Sequence, residues 1–232
     1  MVALSSSSCF AVVTEARVVV VNGTVSCKRS VTAEPEPVTK GKSVTVGSTI
    51  QTEVKSDLLM SPVPGSAVRI LENNSVVLSE ADLQKKGESI IGRKAKLQLN
   101  RGTVQVGLDK IGQTTDFKIT TPQCVAAARG TVFATTVVKG ATTTVVREGV
   151  VVIPWKDRKG KAHTVNVTAN MKLVIKEGAN GLEQVGPVRA TKAELSALDD
   201  FVFYSAGWRL LHLAPMRSFP LPVAPAAPLV SP

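Results

Sequence analysis

Aromatic side chains make up only 4% of the 232 residues, so the core has to be filled by Val, Ile, Leu and a few Phe rather than by large rings. The same scarcity disfavours nucleic acid as a partner, because single-strand binding relies on aromatic platforms set between basic residues. Cysteine is nearly absent too. Cys9, Cys27 and Cys124 are odd in number, far apart and in no CxxC or metal-ligand pattern. A Cys27–Cys124 disulfide is open to the chain in an oxidising compartment, but separate buried or free thiols are the simpler reading. No apolar run approaches the ~20 residues a membrane-spanning helix needs, so no transmembrane segment is expected.

Catalytic patterns are missing as well. There is no GxSxG elbow, Walker loop, GxGxxG or HExxH, so the sequence assigns no catalytic, cofactor-binding or metal-binding residue and no cofactor, and the chain reads as a non-enzyme. His163 and His212 have no acidic or Cys partner at ligand spacing and read as lone surface or packing residues. Asp199 and Asp200 are adjacent, and neighbouring helix positions point about 100° apart, so the pair reads as a solvated helix face. Asn22, Asn73 and Asn166 open N-glycosylation sequons, but Asn22 and Asn73 are better explained as turn residues.

Basic residues and β-branched residues are what the sequence does hold. Lys and Arg outnumber Asp and Glu by 28 to 18, for a formal net charge of +10, which favours anionic partners without choosing among them. Lys85, Lys86, Arg93, Lys94 and Lys96 read as a solvated basic stretch, and Lys156 to Lys161 as a basic turn. Val and Thr supply roughly a quarter of the residues, and such side chains suit a pleated surface better than a helix.

Strand signals recur along most of the chain. Val18 to Val21, Asn22-Gly23 and Thr24 to Ser26 have the pattern of an N-terminal hairpin. Ser43 to Val54 places Val44, Val46, Ile50, Thr52 and Val54 on one parity, and Asn73-Asn74 lies between two further runs in a second hairpin-like arrangement. Leu97, Leu99, Val104 and Val106 alternate on either side of Gly102, which suggests a bulge or tight turn. Phe117 and Ile119 continue the pattern to Pro122. Ala126 to Ile153 reads as three strands punctuated by Lys139-Gly140 and Glu148-Gly149, and His163 to Lys176 as a last hairpin. Thr191-Lys192-Ala193-Glu194 opens a short amphipathic helix through Leu195, Leu198, Val202 and Phe203, ending near Gly207.

These signals give an all-β fold class: a compact sandwich or short solenoid-like β-roll of many short strands, with a short C-terminal helix and a disordered tail. Residues 1–15 read as a signal-peptide remnant or disordered terminus, 16–176 as the β domain, 177–213 as linker and short helix, and 214–232 as a Pro/Ala-rich tail.

One stretch is more specific than the rest. Arg129-Gly130-Thr131-Val132-Phe133 is followed by Glu148-Gly149-Val150-Val151, and pairing about the turn at Gly140 would set Glu148 opposite Thr131 to Phe133. Arg129 is then placed to hydrogen-bond Glu148 or nearby carbonyls, with Phe133 as a core anchor. Together with Gly47, Ile50 and Thr52, with Leu99, Arg101, Gly102 and Val104, with Thr121-Pro122, and with Ala127 and Val151, these residues resemble the FecR domain over about 44–153. Gly47, Gly102, Arg129, Gly130, Thr131, Phe133, Glu148 and Gly149 carry the resemblance, and their roles read as structural.

The resemblance implies a β-rich extracytoplasmic domain, which in the best-known members senses an outer-membrane transporter and relays to a sigma factor. Those members also carry a cytoplasmic anti-sigma segment and one membrane helix, and neither is legible here. The sequence is more similar to stand-alone, secreted FecR-domain proteins of bacteria. The expected function is an extracytoplasmic binding module in the periplasm or outside the cell, meeting an envelope protein at strand edges or loops. The alternatives are an anionic cell-wall polymer such as peptidoglycan as the partner, a structural role, or a periplasmic part in sigma-factor or transporter signalling.

Overall fold

The computed structural model describes residues 10–11, 15–86, 89–110, 114–179 and 181–213, with side chains at 15–84, 90–110, 115–179 and 181–202. Cys9, the tail 214–232, and the side chains of Lys85, Lys86, Phe203 and His212 lie outside the described residues.

The described chain is all β until its last element. It begins with β1 (Phe10–Ala11), β2 (Glu15–Asn22), β3 (Val25–Lys28), β4 (Glu36–Pro37), β5 (Ser43–Thr45) and β6 (Thr49–Thr52). It continues through β7 (Asp57–Ser61), β8 (Ser66–Ile70), β9 (Ser75–Lys86), β10 (Ser89–Leu108), β11 (Thr114–Thr120) and β12 (Val125–Ala128). The last strands are β13 (Val132–Val138), β14 (Ala141–Glu148), β15 (Val150–Lys156), β16 (Ala162–Thr168), β17 (Met171–Gly178) and β18 (Gly181–Arg189), before the helix α1 (Lys192–Leu213).

The ladders sort into two sheets. The first runs β4-β3-β6-β9-β10-β11-β12-β15-β16, with β1 pairing the far end of β9. The second runs β5-β2-β7-β8-β10-β13-β14-β17-β18. The β10–β11 pair is parallel and the others are antiparallel. β10 belongs to both sheets: up to Arg101 it pairs with β9, and from Gly102 onward with β13 and β8. The expected sandwich or β-roll is therefore the observed architecture.

Between the sheets lies one aliphatic core, including Val18, Ile50, Ile70, Leu78, Leu97, Leu99, Val104, Phe117, Ile119, Phe133, Val146, Val151 and Ile175. Alternation produces it. On β13, Phe133, Thr135 and Val137 point inward, and on β15 Val151, Ile153 and Trp155 do. Each fully buried Leu, Val or Phe contributes about 1.5–3 kcal/mol by its removal from water.

Several expected hairpins turn out to be passages between sheets. β2 pairs with β5 and β7 and β3 with β4 and β6, so Asn22-Gly23 carries the chain from the second sheet to the first and closes no hairpin. Asn73-Asn74 does the same between β8 and β9, and Glu148-Gly149 between β14 and β15. The local chemistry is alike in both cases, since a sheet crossing and a hairpin each need a residue with positive φ. Gly23, Asn73 and Gly149 supply it. The Lys139-Gly140 turn does close a hairpin, β13–β14.

Other expectations shift in detail. Ser43 to Val54 splits into β5 and β6 around Gly47, so Val44, Ile50 and Thr52 are buried while Val46 and Val54 are exposed. Four strands occupy the span read as three, because short β12 precedes β13. The stretch after 177, read as linker, is β18 on the edge of the second sheet; its largely exposed side chains and its glycines and proline give no alternation to read. Phe10–Ala11, within the segment read as a remnant or disordered, forms β1.

α1 starts as the sequence indicates. Thr191 and Glu194 form a capping box, with Glu194 N–H donating to Thr191 Oγ1 (3.3 Å) and Thr191 N–H to Glu194 Oε2 (2.7 Å). Burial opposes ionisation of Glu194, but Lys172 Nζ at 2.8 Å and the Thr191 donors outweigh it and hold the carboxyl below its usual pKa. The helix runs past Gly207 to Leu213, because an interior glycine costs only about 1 kcal/mol and does not by itself stop a helix. Leu198 and Phe201 pack on Leu59, Ala67, Val132 and Val145 of the second sheet's outer face.

Candidate binding surface

The Arg129 to Phe133 and Glu148-Gly149 segments of the family pattern meet at one end of the sandwich. Val132 pairs with Glu148 in the β13–β14 ladder, so the two motif segments lie side by side as the spacing predicted. Phe133 is fully buried, as expected of a core anchor. Arg129 does not do what was expected of it. Its side chain is exposed and makes no hydrogen bond to Glu148 or to a carbonyl among the described residues. β12 ends at Ala128, and the turn that follows presents Arg129 outward.

Bare backbone shapes this end. Gly149 has φ +81°, and a Cβ there would lie 2.7 Å from Thr131 Cγ2 and 3.0 Å from the Gly130 carbonyl oxygen. Gly102 lies at the other end of the β10–β13 ladder, opposite Val137. Its φ is +97°, and its missing side chain leaves room for Asn74, whose Oδ1 would be 2.3 Å from a Cβ. Asn74 is fully buried and donates from Nδ2 to the carbonyls of Leu71 (2.7 Å) and Glu72 (3.0 Å). Gly102 thus bends β10 from one sheet into the other over a buried polar contact.

An open depression of about 460 Å³ lies where the motif turns meet, lined by Asp109, Lys110, Thr115, Arg129, Gly130, Gly149 and Val150. Beneath it sits Arg93, only 2% exposed. Its Nη2 donates to Thr115 Oγ1 (2.8 Å) and its Nη1 to the Pro64 carbonyl, while Nε is buried without a partner. Burial lowers the guanidinium pKa and the nearby Asp109 works against that. The basic stretch was read as solvated, and for Arg93 this is wrong. It shares the inward parity of Ala95, Leu97 and Leu99, so the alternation already held the signal. Lys94, by contrast, is exposed.

The two outer faces differ. α1 packs on that of the second sheet, whereas no described element packs on that of the first. The uncovered face carries Lys96 opposite Glu80, Lys118 ion-paired with Asp116 at 2.9 Å, and Val150 and Val152, which are 43% and 37% exposed. Asp199 is not a merely solvated helix residue: it accepts from Arg147 Nε at 2.5 Å and ties α1 to β14. His163 is not alone either, since Nε2 lies 3.0 Å from Asp157 Oδ2. Cys27 and Cys124 are free thiols, so the disulfide does not form, and burial raises both pKa values. Among the described residues no group of three or more His, Cys, Asp or Glu is arranged to hold a metal ion, and no helix is long and apolar enough to cross a membrane.

No curated protein matches. Two crystal structures from Parabacteroides distasonis, both described provisionally as an anti-sigma factor, align at 10% and 11% identity with TM-scores of 0.44 and 0.43. Each alignment covers 61% of this chain, which spans 60% of those chains' length. The sequence profile of the family described as FecR protein matches residues 48–152, the span that holds Gly102, the Arg129 to Phe133 segment and Glu148-Gly149, so it is this stretch of the chain that is similar to the FecR family.

Proposed function

We propose that the chain is a non-enzymatic, extracytoplasmic binding module whose partner is a protein of the cell envelope. The observation that carries this reading is the uncovered outer face of the first sheet, which ends at a depression rimmed by the family's own motif residues. Exposed Val150 and Val152 beside the exposed cations Lys110 and Arg129 make a mixed apolar and charged surface of the kind protein partners bury. The similarity to the FecR family supports an extracytoplasmic setting.

The test is a pull-down from envelope extract with the tagged full chain. Saturable recovery of a protein is the expected result. Recovery of cell-wall polymer alone, lost on raising the salt, would replace the protein partner with an anionic polymer held by basic side chains. Recovery of neither would overturn the binding reading.

A further inference from the structure

The depression has a specific origin in the first sheet. β12 lies between β11 and β15, pairing Phe117↔Ala128 on one side and Ala128↔Val151 on the other. After Ala128 the chain leaves for the second sheet through Arg129-Gly130. β11 extends three residues beyond that point, to Thr114, and β15 one residue, Val150. Thr114, Thr115 and Asp116 are paired with β10 on one side, but no described strand is registered against them on the other. Across the gap, level with Asp116, is Val150, where β15 begins.

A notch one strand wide results. Removing one strand from between two neighbours leaves them about 9.6 Å apart, and three residues of extended chain span about 10 Å. Gly130 and Gly149 line the notch with backbone. A Cβ on Gly130 would lie 2.8 Å from Lys110 Cγ, so lysine and turn are packed together here.

The charge around the notch is uneven. Lys110 and Arg129 are exposed and have no ion pair among the described residues. Asp109 lies by buried Arg93 and Asp116 is held by Lys118. The free charges on the rim are thus positive, and Val150 and Val152 extend from it as an aliphatic ledge.

We propose that the notch takes a short, extended, acidic segment of the partner protein as an added strand, pairing with the free side of Thr114–Asp116 and setting its carboxylates against Lys110 and Arg129. The proposal rests on the binding-module reading above and names its site and the chemistry of its ligand. Main-chain pairing would supply affinity and the two cations a preference for acidic sequence.

The probe is a fluorescein-labelled hexapeptide of alternating Val and Glu, compared with its Val/Lys counterpart, by fluorescence anisotropy on the full chain. Saturable binding of the acidic peptide alone is expected, weakened at least about tenfold by K110E/R129E, whose sites are both exposed and whose fold is checked by circular dichroism. Hydrogen exchange with the acidic peptide present should slow at the amides of residues 114–116. No saturable binding, undiminished binding to the double variant, or binding without that protection would each overturn the proposal. Equal capture of an envelope protein by the wild type and by K110E/R129E would sink the notch and leave the binding module standing. Capture by neither would sink both.

Discussion

The indole of Trp155 lies on the imidazole of His163, with ring centroids 4.4 Å apart and planes 17° from parallel. The two residues are directly opposed in the β15–β16 ladder, so this is a cross-strand pair of the sort that stabilises sheets. Asp157 completes the clip. Its Oδ2 is 3.0 Å from His163 Nε2, and its Oδ1 accepts from the amides of Lys159 (2.9 Å) and Lys161 (3.0 Å). The hydrogen bond from His163 is the main cause that holds the Asp157 carboxyl below its usual pKa; burial opposes it, and the two amides add to it.

A depressed carboxylate pKa stabilises the fold above the unfolded-state value and ceases to do so as pH falls through the folded-state value. Asp157→Asn should therefore lower the thermal midpoint at neutral pH, and its difference from wild type should close as the pH is taken below about 4. Melts across that range measure this. A difference that stays constant into the acid would show that the ionised carboxylate is not what the clip needs.

Gly102 and Gly47 both have positive φ, +97° and +90°, but only at Gly102 is the side-chain space occupied. Gly47→Ala should cost only backbone strain, about 1–2 kcal/mol. Gly102→Ala should cost more than that, because it also displaces Asn74 from its hydrogen bonds. Denaturant unfolding of the two variants side by side gives the comparison, and equal losses would contradict the packing argument.

Phe201 is fully buried where α1 meets the second sheet. Phe201→Ala should destabilise by about 3–5 kcal/mol if the helix stays docked. If it lifts instead, Leu59, Val132 and Val145 are uncovered, and the dye ANS should bind while the far-ultraviolet β signal persists. A variant matching wild type in both stability and dye binding would rule out the docking contact.

Arg93→Ala should destabilise more than Arg93→Met. The alanine leaves a cavity beside the Pro64 carbonyl and Thr115, whereas methionine refills the volume with an apolar chain. Both variants leave the Pro64 carbonyl and Thr115 without their donor, at about 1–3 kcal/mol, and the alanine adds the cost of its cavity. Chemical denaturation separates the two. Equal losses would mean that the guanidinium's hydrogen bonds outweigh its volume.

Alternation made the all-β class, the core face of β13 and the start of α1 legible, because burial of one strand face and the Thr191/Glu194 capping box leave direct marks in sequence. Which sheet each strand joins left no such mark. Asn22-Gly23 and Lys139-Gly140 are both turn dipeptides, yet one crosses between sheets and the other closes a hairpin, and only long-range pairing decides which. The same limit hid the notch, which exists because β11 and β15 outrun β12, a relation among three strands that no single motif encodes. Phe201 carries no mark of its own for another reason: several apolar residues crowd that end of the helix, and only packing singles one out.

A strand shared by two sheets also ties their fates together. β10 cannot let go of β13 and β8 without loosening its own hold on β9 and β11, so neither layer can melt while the other stays intact. Force applied at the ends of the chain would meet a single mechanical unit with its clamp at the Gly102 bend, and the domain should give way in one step rather than peel layer from layer.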